Sequence, residues 1–163
     1  MKNIPCFIFI FFCLTYLQLN SQVCTIFTPN DIGFPQAILY LNFPNIAIDK
    51  TGNKWMPYNS KGLIKYNDTS WAVDSSAPYM GPLIDIAIDT NDKKWLAGSY
   101  LIKYDDSSWT PFSPFNDVYK RPKMVEVDQA TNSIWVKWEG NFPELGFARF
   151  RDSVWTNIWN DGN

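Results

Sequence analysis

Apolar and polar residues alternate along the chain in short runs, and clusters of Asp, Asn, Gly, Thr and Ser separate the runs. Ile46 and Ile48, like Ile86 and Ile88, project to one side of a strand with Ala47 or Ala87 between them. That pattern suits an inner strand crowded on both faces, where the small alanine permits close packing. Asp49 through Asn53 reads as a turn around Gly52, after which Lys54, Trp55 and Met56 open a second strand. Leu63, Ile64 and Tyr66 alternate with Lys65 in a third, Asn67 to Ser70 form the next turn, and Trp71, Ala72 and Val73 make an outermost strand. No segment has the period of a helix.

The same succession recurs. Ile46 to Trp55 reads IAIDKTGNKW, Ile86 to Trp95 reads IAIDTNDKKW, and Val125 to Trp135 reads VEVDQATNSIW with one residue added. A second block follows each: GLIKYNDTSW from Gly62, YLIKYDDSSW from Tyr100 and GFARFRDSVW from Gly146. Trp55, Trp95 and Trp135 stand about 40 residues apart, and Trp71, Trp109 and Trp155 form a second column. A four-stranded antiparallel sheet recurring at that period cannot bury both faces by itself, so the pattern predicts an all-β, partial β-propeller of about three blades. Its units run from about 46–74, 86–113 and 125–159, and the six tryptophans are expected to fill the space between blades. Cys24 to Thr28 looks like the end of one more unit, with Cys24 in a tryptophan column, and predicts an extra strand at about 24–30.

Composition narrows the chemistry. With 14 basic against 16 acidic residues the chain is too balanced to bind nucleic acid through phosphate contacts. It has no histidine, which removes Ser-His and Cys-His relays and the commonest metal ligand. Lys2 followed by an apolar run from Ile4 to Leu19 has the layout of a secretory signal at 1–21, with cleavage before Gln22 and a secreted or periplasmic product. Thr15, Tyr16 and Gln18 interrupt the run, which speaks against a membrane anchor, and no membrane span is expected in the mature chain 22–163. Cys6 and Cys13 depart with the signal, so Cys24 has no partner for a disulfide. Ser21 and Val23 occupy the places that a lipid-bearing Cys24 requires for other residues, which favours a plain packed thiol.

An aliphatic-Ala-aliphatic-Asp strand, a Gly-Asn turn, a Trp, then Gly-Leu and Tyr-Asn-Asp before a second Trp resembles the two-component regulator propeller repeat of bacteria. Ile46 to Trp71 matches best. The second unit departs with Asn91 and Asp92 in the turn and Tyr100 where Gly is usual, and the third with its inserted residue and a middle lengthened around Trp138, Pro143 and Glu144. The resemblance implies a non-enzymatic module that binds a ligand or partner protein. In longer relatives such repeats precede a membrane span and kinase parts, so this chain is not expected to signal alone. Residues 22–163 hold only about 3.5 periods, fewer than the usual minimum of four blades. A truncated member, self-association or additional blades, and an open wedge all answer this; truncation or assembly is favoured, because exposed sheet edges invite pairing.

Asp49, Asp89 and Asp128 recur at one place, and Asp68, Asp106 and Asp152 at another. They faintly resemble calcium loops, yet the distal Glu of such a loop is missing, so each is expected to cap its own turn, with no metal or cofactor. Glu139 and Glu144 are the non-repeating acidic pair worth naming for a glycosidase; a streptogramin-lyase-like enzyme, weakened by the lack of histidine, and a fragment with no independent function are the alternative readings. Lys54 and Lys94 are expected on solvent faces. Where units differ, at Pro57 to Lys61, Ser75 to Pro82, Pro114 to Pro122 and Trp138 to Leu145, a binding face is expected. Tyr79, Tyr119, Trp138 and Phe142 are its candidates for stacking on a sugar ring or a peptide side chain, although aromatic residues in loops also serve simply to cover a core. The ligand class, whether small molecule, glycan or protein, stays open.

Overall fold

The alternating runs fold as the period of two requires. The computed structural model describes residues 45–78, 81–112, 119–141 and 144–160, apart from the side chains of Asn59, Trp159 and Asn160. The strand expected at 24–30 and the signal segment lie outside the described residues. Three four-stranded antiparallel sheets follow one another in chain order. The first holds β1 (Ala47–Ile48), β2 (Lys54–Pro57), β3 (Leu63–Tyr66) and β4 (Trp71–Asp74). The second holds β5 (Leu83–Ile88), β6 (Lys94–Gly98), β7 (Leu101–Tyr104) and β8 (Trp109–Phe112). The third holds β9 (Arg121–Asp128), β10 (Ser133–Glu139), β11 (Leu145–Arg151) and β12 (Val154–Asn160). A single 3-10 turn at Asn59–Lys61 is the one helical piece among the described residues, and none of their helices is long and apolar enough to cross a membrane.

Register sets which side chains share a face. Trp55 lies opposite Lys65, which lies opposite Ala72, whereas Trp71 lies opposite Tyr66. The two tryptophan columns therefore point to opposite faces of every sheet. Stacking the sheets brings one indole from each side into each seam. Trp55 of the first sheet packs with Leu63 against Ile86, Ile88, Leu96, Ile102 and Tyr104 of the second, with Trp109 at the margin. Trp95 packs with Ala87, Ala97 and Leu101 against Val125, Ile134 and Val136 of the third, with Trp155 at the margin. Trp71 and Trp135 are left on the outer faces of the first and third sheets. Trp71 stacks on Tyr66 at 4.2 Å, and the Arg149 guanidinium lies 5.8 Å from the Trp135 ring.

Lys94 departs from expectation. It is 1% exposed, held in the first seam with its ammonium 4.4 Å from the Trp55 ring centre and 2.6 Å from the Asp106 carboxylate. The column pointed its side chain at the preceding sheet, and both the ring and the carboxylate compensate the buried charge. Lys54 makes the matching contact with Asp68 while remaining partly exposed.

Burial down one column measures what stacking adds. Ile86 and Ile88 are 1% and 8% exposed, but Ile46 and Ile48 at the same positions are 55% and 62% exposed. Ile88→Ala is expected to lower the unfolding free energy by about 2–4 kcal/mol and Ile48→Ala by less than about 1 kcal/mol. Urea unfolding of the two variants checks this, and equal losses would contradict it.

Candidate functional site

An antiparallel four-strand order sends alternate connections to opposite edges of the sheet. The turns β1–β2 and β3–β4, with their counterparts in the other sheets, share one edge; the β2–β3-type loops and the links between sheets share the other.

The first edge carries the repeated acids, and they serve the repeat. Asp49 accepts from the backbone N–H of Thr51 and Asn53, both at 2.9 Å, and Asp89 from those of Asn91 and Lys93 at 2.8 and 3.0 Å. Their second oxygens do something that spacing alone did not reveal: Trp55 Nε1–H donates to Asp49 at 2.8 Å, and Trp95 Nε1–H to Asp89 at 3.0 Å. Each aspartate thus ties its turn to the indole that fills the seam. Asp128 caps its turn through Ala130 and Thr131. Asp68 and Asp106 do not cap their turns as expected: they and Asp152 occupy the left-handed positions of the β3–β4-type turns, which aspartate tolerates better than most residues, while the preceding Asn67 and Asp105 accept the turn N–H groups.

Turns of neighbouring sheets are also joined. Lys50 N–H donates to Asp92 Oδ1 at 3.0 Å, and Thr90 N–H to Asn132 Oδ1 at 2.9 Å. Asp92 and Asn132 hold positive φ, as does Gly52 in the corresponding turn of the first sheet, where no side chain is available to accept.

Burial alone would push Asp49 up, but hydrogen bonds from Trp55, Asn53 and Thr51 outweigh it and hold the carboxyl well below the usual range. Asp74 is also lowered, its burial outweighed by Ser76 and Tyr104. Asp105 and Asp128 are lowered chiefly by the hydroxyls of Ser107 and Thr131. A depressed folded-state value means stability that is present above the unfolded carboxyl range, near pH 4, and lost as pH falls through the folded value. The melting midpoint is therefore expected to hold from pH 7 to about 4 and drop below it, less steeply in Asp49→Asn. A midpoint flat down to pH 2 would contradict this.

The second edge gathers the divergent connections. A Cβ on Gly62 would meet the Asp74 carbonyl, one on Gly81 the Ser99 side chain, and one on Gly140 the side chains of Glu144 and Lys120. Loops and inter-sheet links therefore lie against each other. Below them, Asp85 joins all three sheets: it accepts from Asn45 Nδ2–H at 2.8 Å and from the buried Val125 N–H at 2.8 Å. Asp85 was missed in the sequence, where only its place just before the Ile-Ala-Ile strand could have marked it.

The expected aromatic residues divide. Tyr119 is 60% exposed on the β8–β9 link. Trp138 is not a loop residue: β10 continues to Glu139, and the ring is 0% exposed, packed with Ala148 and Trp155. It is on the face of Val136 and Ile134, turned into the seam, so it cannot stack on a surface ligand. Tyr79 and Phe142 lie outside the described residues. Tyr100, marked in the sequence only as a departure from Gly, is 54% exposed on the same edge. Glu139 lies 3.7 Å from Lys123 and 3.4 Å from Lys137. Among the described residues no three metal-ligating acidic or cysteine side chains cluster.

Three solved structures share the arrangement of sheets. A gluconolactonase from Xanthomonas campestris superposes with a TM-score of 0.56 at 8% identity, over 71% of this chain and 46% of that one. The fold is that of a β-propeller. PorZ, a surface component of the type-IX secretion system of Porphyromonas gingivalis, gives a TM-score of 0.53 at 18% identity, over 71% of this chain and 19% of that one. YCF48 bound to D1 peptide gives 0.53 at 12% identity, over 70% and 38%. This chain spans less than half the length of each. No family model and no curated protein matches it.

Proposed function

We propose that this chain is an exported, non-catalytic propeller module of the two-component regulator propeller type that binds a ligand or partner protein on the edge formed by its divergent loops. The observation that carries this reading is the sorting of connections. The repeated turns are engaged in holding the blades, while the segments that differ between units share the opposite edge and present Tyr100 and Tyr119 to solvent. The acids also support it: Asp49 and Asp89 are tied to indoles, and Glu139 is flanked by two lysines. Export rests on Lys2 and the apolar run to Leu19.

Additional blades of the same repeat complete the ring. Ile86 and Ile88 are covered by a neighbour's Trp55 and Leu63, so the exposed Ile46 and Ile48 suit a blade face of that composition.

The test is a binding screen of the purified chain against monosaccharides and peptides, with product analysis of each hit. The reading expects saturable binding, no turnover, and loss of binding in Tyr100→Ala/Tyr119→Ala at unchanged melting midpoint. Turnover abolished by Glu139→Gln or Glu144→Gln would overturn it.

A further inference from the structure

The two seams of this propeller are built from the same repeat, so each is a control for the other. In the seam between the second and third blades the outer half is closed by aromatic rings. Phe112 lies 5.1 Å from Trp95 and 5.9 Å from Phe150. In the seam between the first and second blades Asp74 stands where Phe112 stands, at the end of the outermost strand, and Tyr104 stands where Phe150 does. A pair of rings has become a carboxylate and a phenol, and the Tyr104 hydroxyl donates to Asp74.

Beside this pair lies a groove of about 490 Å³ open to solvent, lined by Trp55, Lys65, Ala72, Asp74, Ser75 and Ser76. That volume is within the range of small-molecule sites. Asp74 accepts from Ser76 N–H at 2.9 Å and Ser76 Oγ–H at 2.5 Å as well as from Tyr104, which fixes its position; among the described residues these three donors fill all but one of its roughly four acceptor sites. Trp109 Nε1–H in turn donates to Ser76 Oγ at 3.0 Å, so the second blade secures the wall. Lys65 lies across the Trp55 ring at 5.0 Å, and among the described residues no carboxylate stands within ion-pair distance of it. Lys103 is the equivalent lysine of the second seam, where it lies over Trp95 and Phe112, so what sets the first seam apart is a braced carboxylate on the same face as the lysine.

We infer that this groove binds a small zwitterion of the α-amino acid type, its ammonium donating to Asp74, its carboxylate accepting from Lys65, and its side chain lying along Ala72 and the edge of Trp55. Lys65 is directly opposite Ala72, and Asp74 is two residues further along the same face. Such diagonal neighbours are roughly 7–8 Å apart, a span that one amino acid with a hydrogen bond at each end can bridge. The groove borrows Ser75 and Ser76 from the link that leaves β4 toward the loop edge, but neither Tyr100 nor Tyr119 lines it.

Calorimetric titration of the full chain with L-leucine, leucine amide and N-acetyl-leucine tests this. Leucine is expected to bind saturably, and each capped probe, which lacks one charge, about tenfold more weakly or worse. Lys65→Met is expected to weaken leucine about tenfold. Asp74→Phe/Tyr104→Phe, which reproduces the second seam, is expected to abolish binding while the protein stays folded by melting midpoint. Tyr100→Ala/Tyr119→Ala should leave leucine binding unchanged, which distinguishes this site from the loop edge. The inference is overturned if leucine shows no saturable binding up to about 10 mM, if the Phe pair leaves its affinity intact, or if both capped probes bind as well as leucine.

Discussion

Trp95→Ala is expected to lower the unfolding free energy by about 3–5 kcal/mol, more than any other single truncation among the repeated tryptophans. Trp95 is buried in the middle blade and touches Phe112 and Phe150 at 5.1 and 5.7 Å, so its loss opens a cavity between two sheets at once. It also removes the donor to Asp89, leaving a buried carboxylate oxygen short of a partner. Trp155 is partly exposed and packs at a tilt against Phe150 at 4.9 Å, and its truncation should take away only about 1–3 kcal/mol. Urea unfolding of both variants at unchanged m-value gives the comparison. Equal losses would mean that the seam is not what the indole stabilises.

Asp85→Ala should be the most damaging change at a polar position, about 2–3 kcal/mol. It leaves the buried Val125 N–H without its acceptor and cuts the link from Asn45 through Asp85 to the third blade. Asp85→Asn keeps one carbonyl acceptor and should recover part of the loss. Because the link crosses both seams, the first blade should also open more readily: amide exchange in β2 and β3 should accelerate more than in β10 and β11. A double-mutant cycle with Asn45→Ala gives the coupling directly. Full stability in Asp85→Ala, or no difference between the Ala and Asn variants, would refute the bridging role.

Legibility in the sequence followed the range of each interaction. Strands, turns and the repeat could be read because they follow from period-two alternation and from the φ preferences of Gly, Asn and Asp, which act within a few residues. The aspartates at 49, 89 and 128 were readable as turn caps for that reason. Lys94 was misplaced because a lysine before a tryptophan looks solvated until the neighbouring sheet brings Trp55 over it. Trp138 was misplaced because the third unit pairs further along than the other two, with a bulge between Lys137 and Trp138 that the column pattern did not show. Asp85 carries no local signature, since both of its donors lie about 40 residues away in other blades.

The amino-acid order alone determined an all-β chain of repeated four-stranded units with large rings at fixed columns, because backbone pleat and turn chemistry are encoded locally. Only the stacked structure decided that the two tryptophan columns face opposite ways and meet in each seam, that the divergent loops share one edge, and that two phenylalanine rings meet in one seam where a phenol and a carboxylate meet in the other. Those outcomes depend on which face meets which neighbour. Solvent exclusion between sheets sets that relation, and no run of adjacent residues contains it.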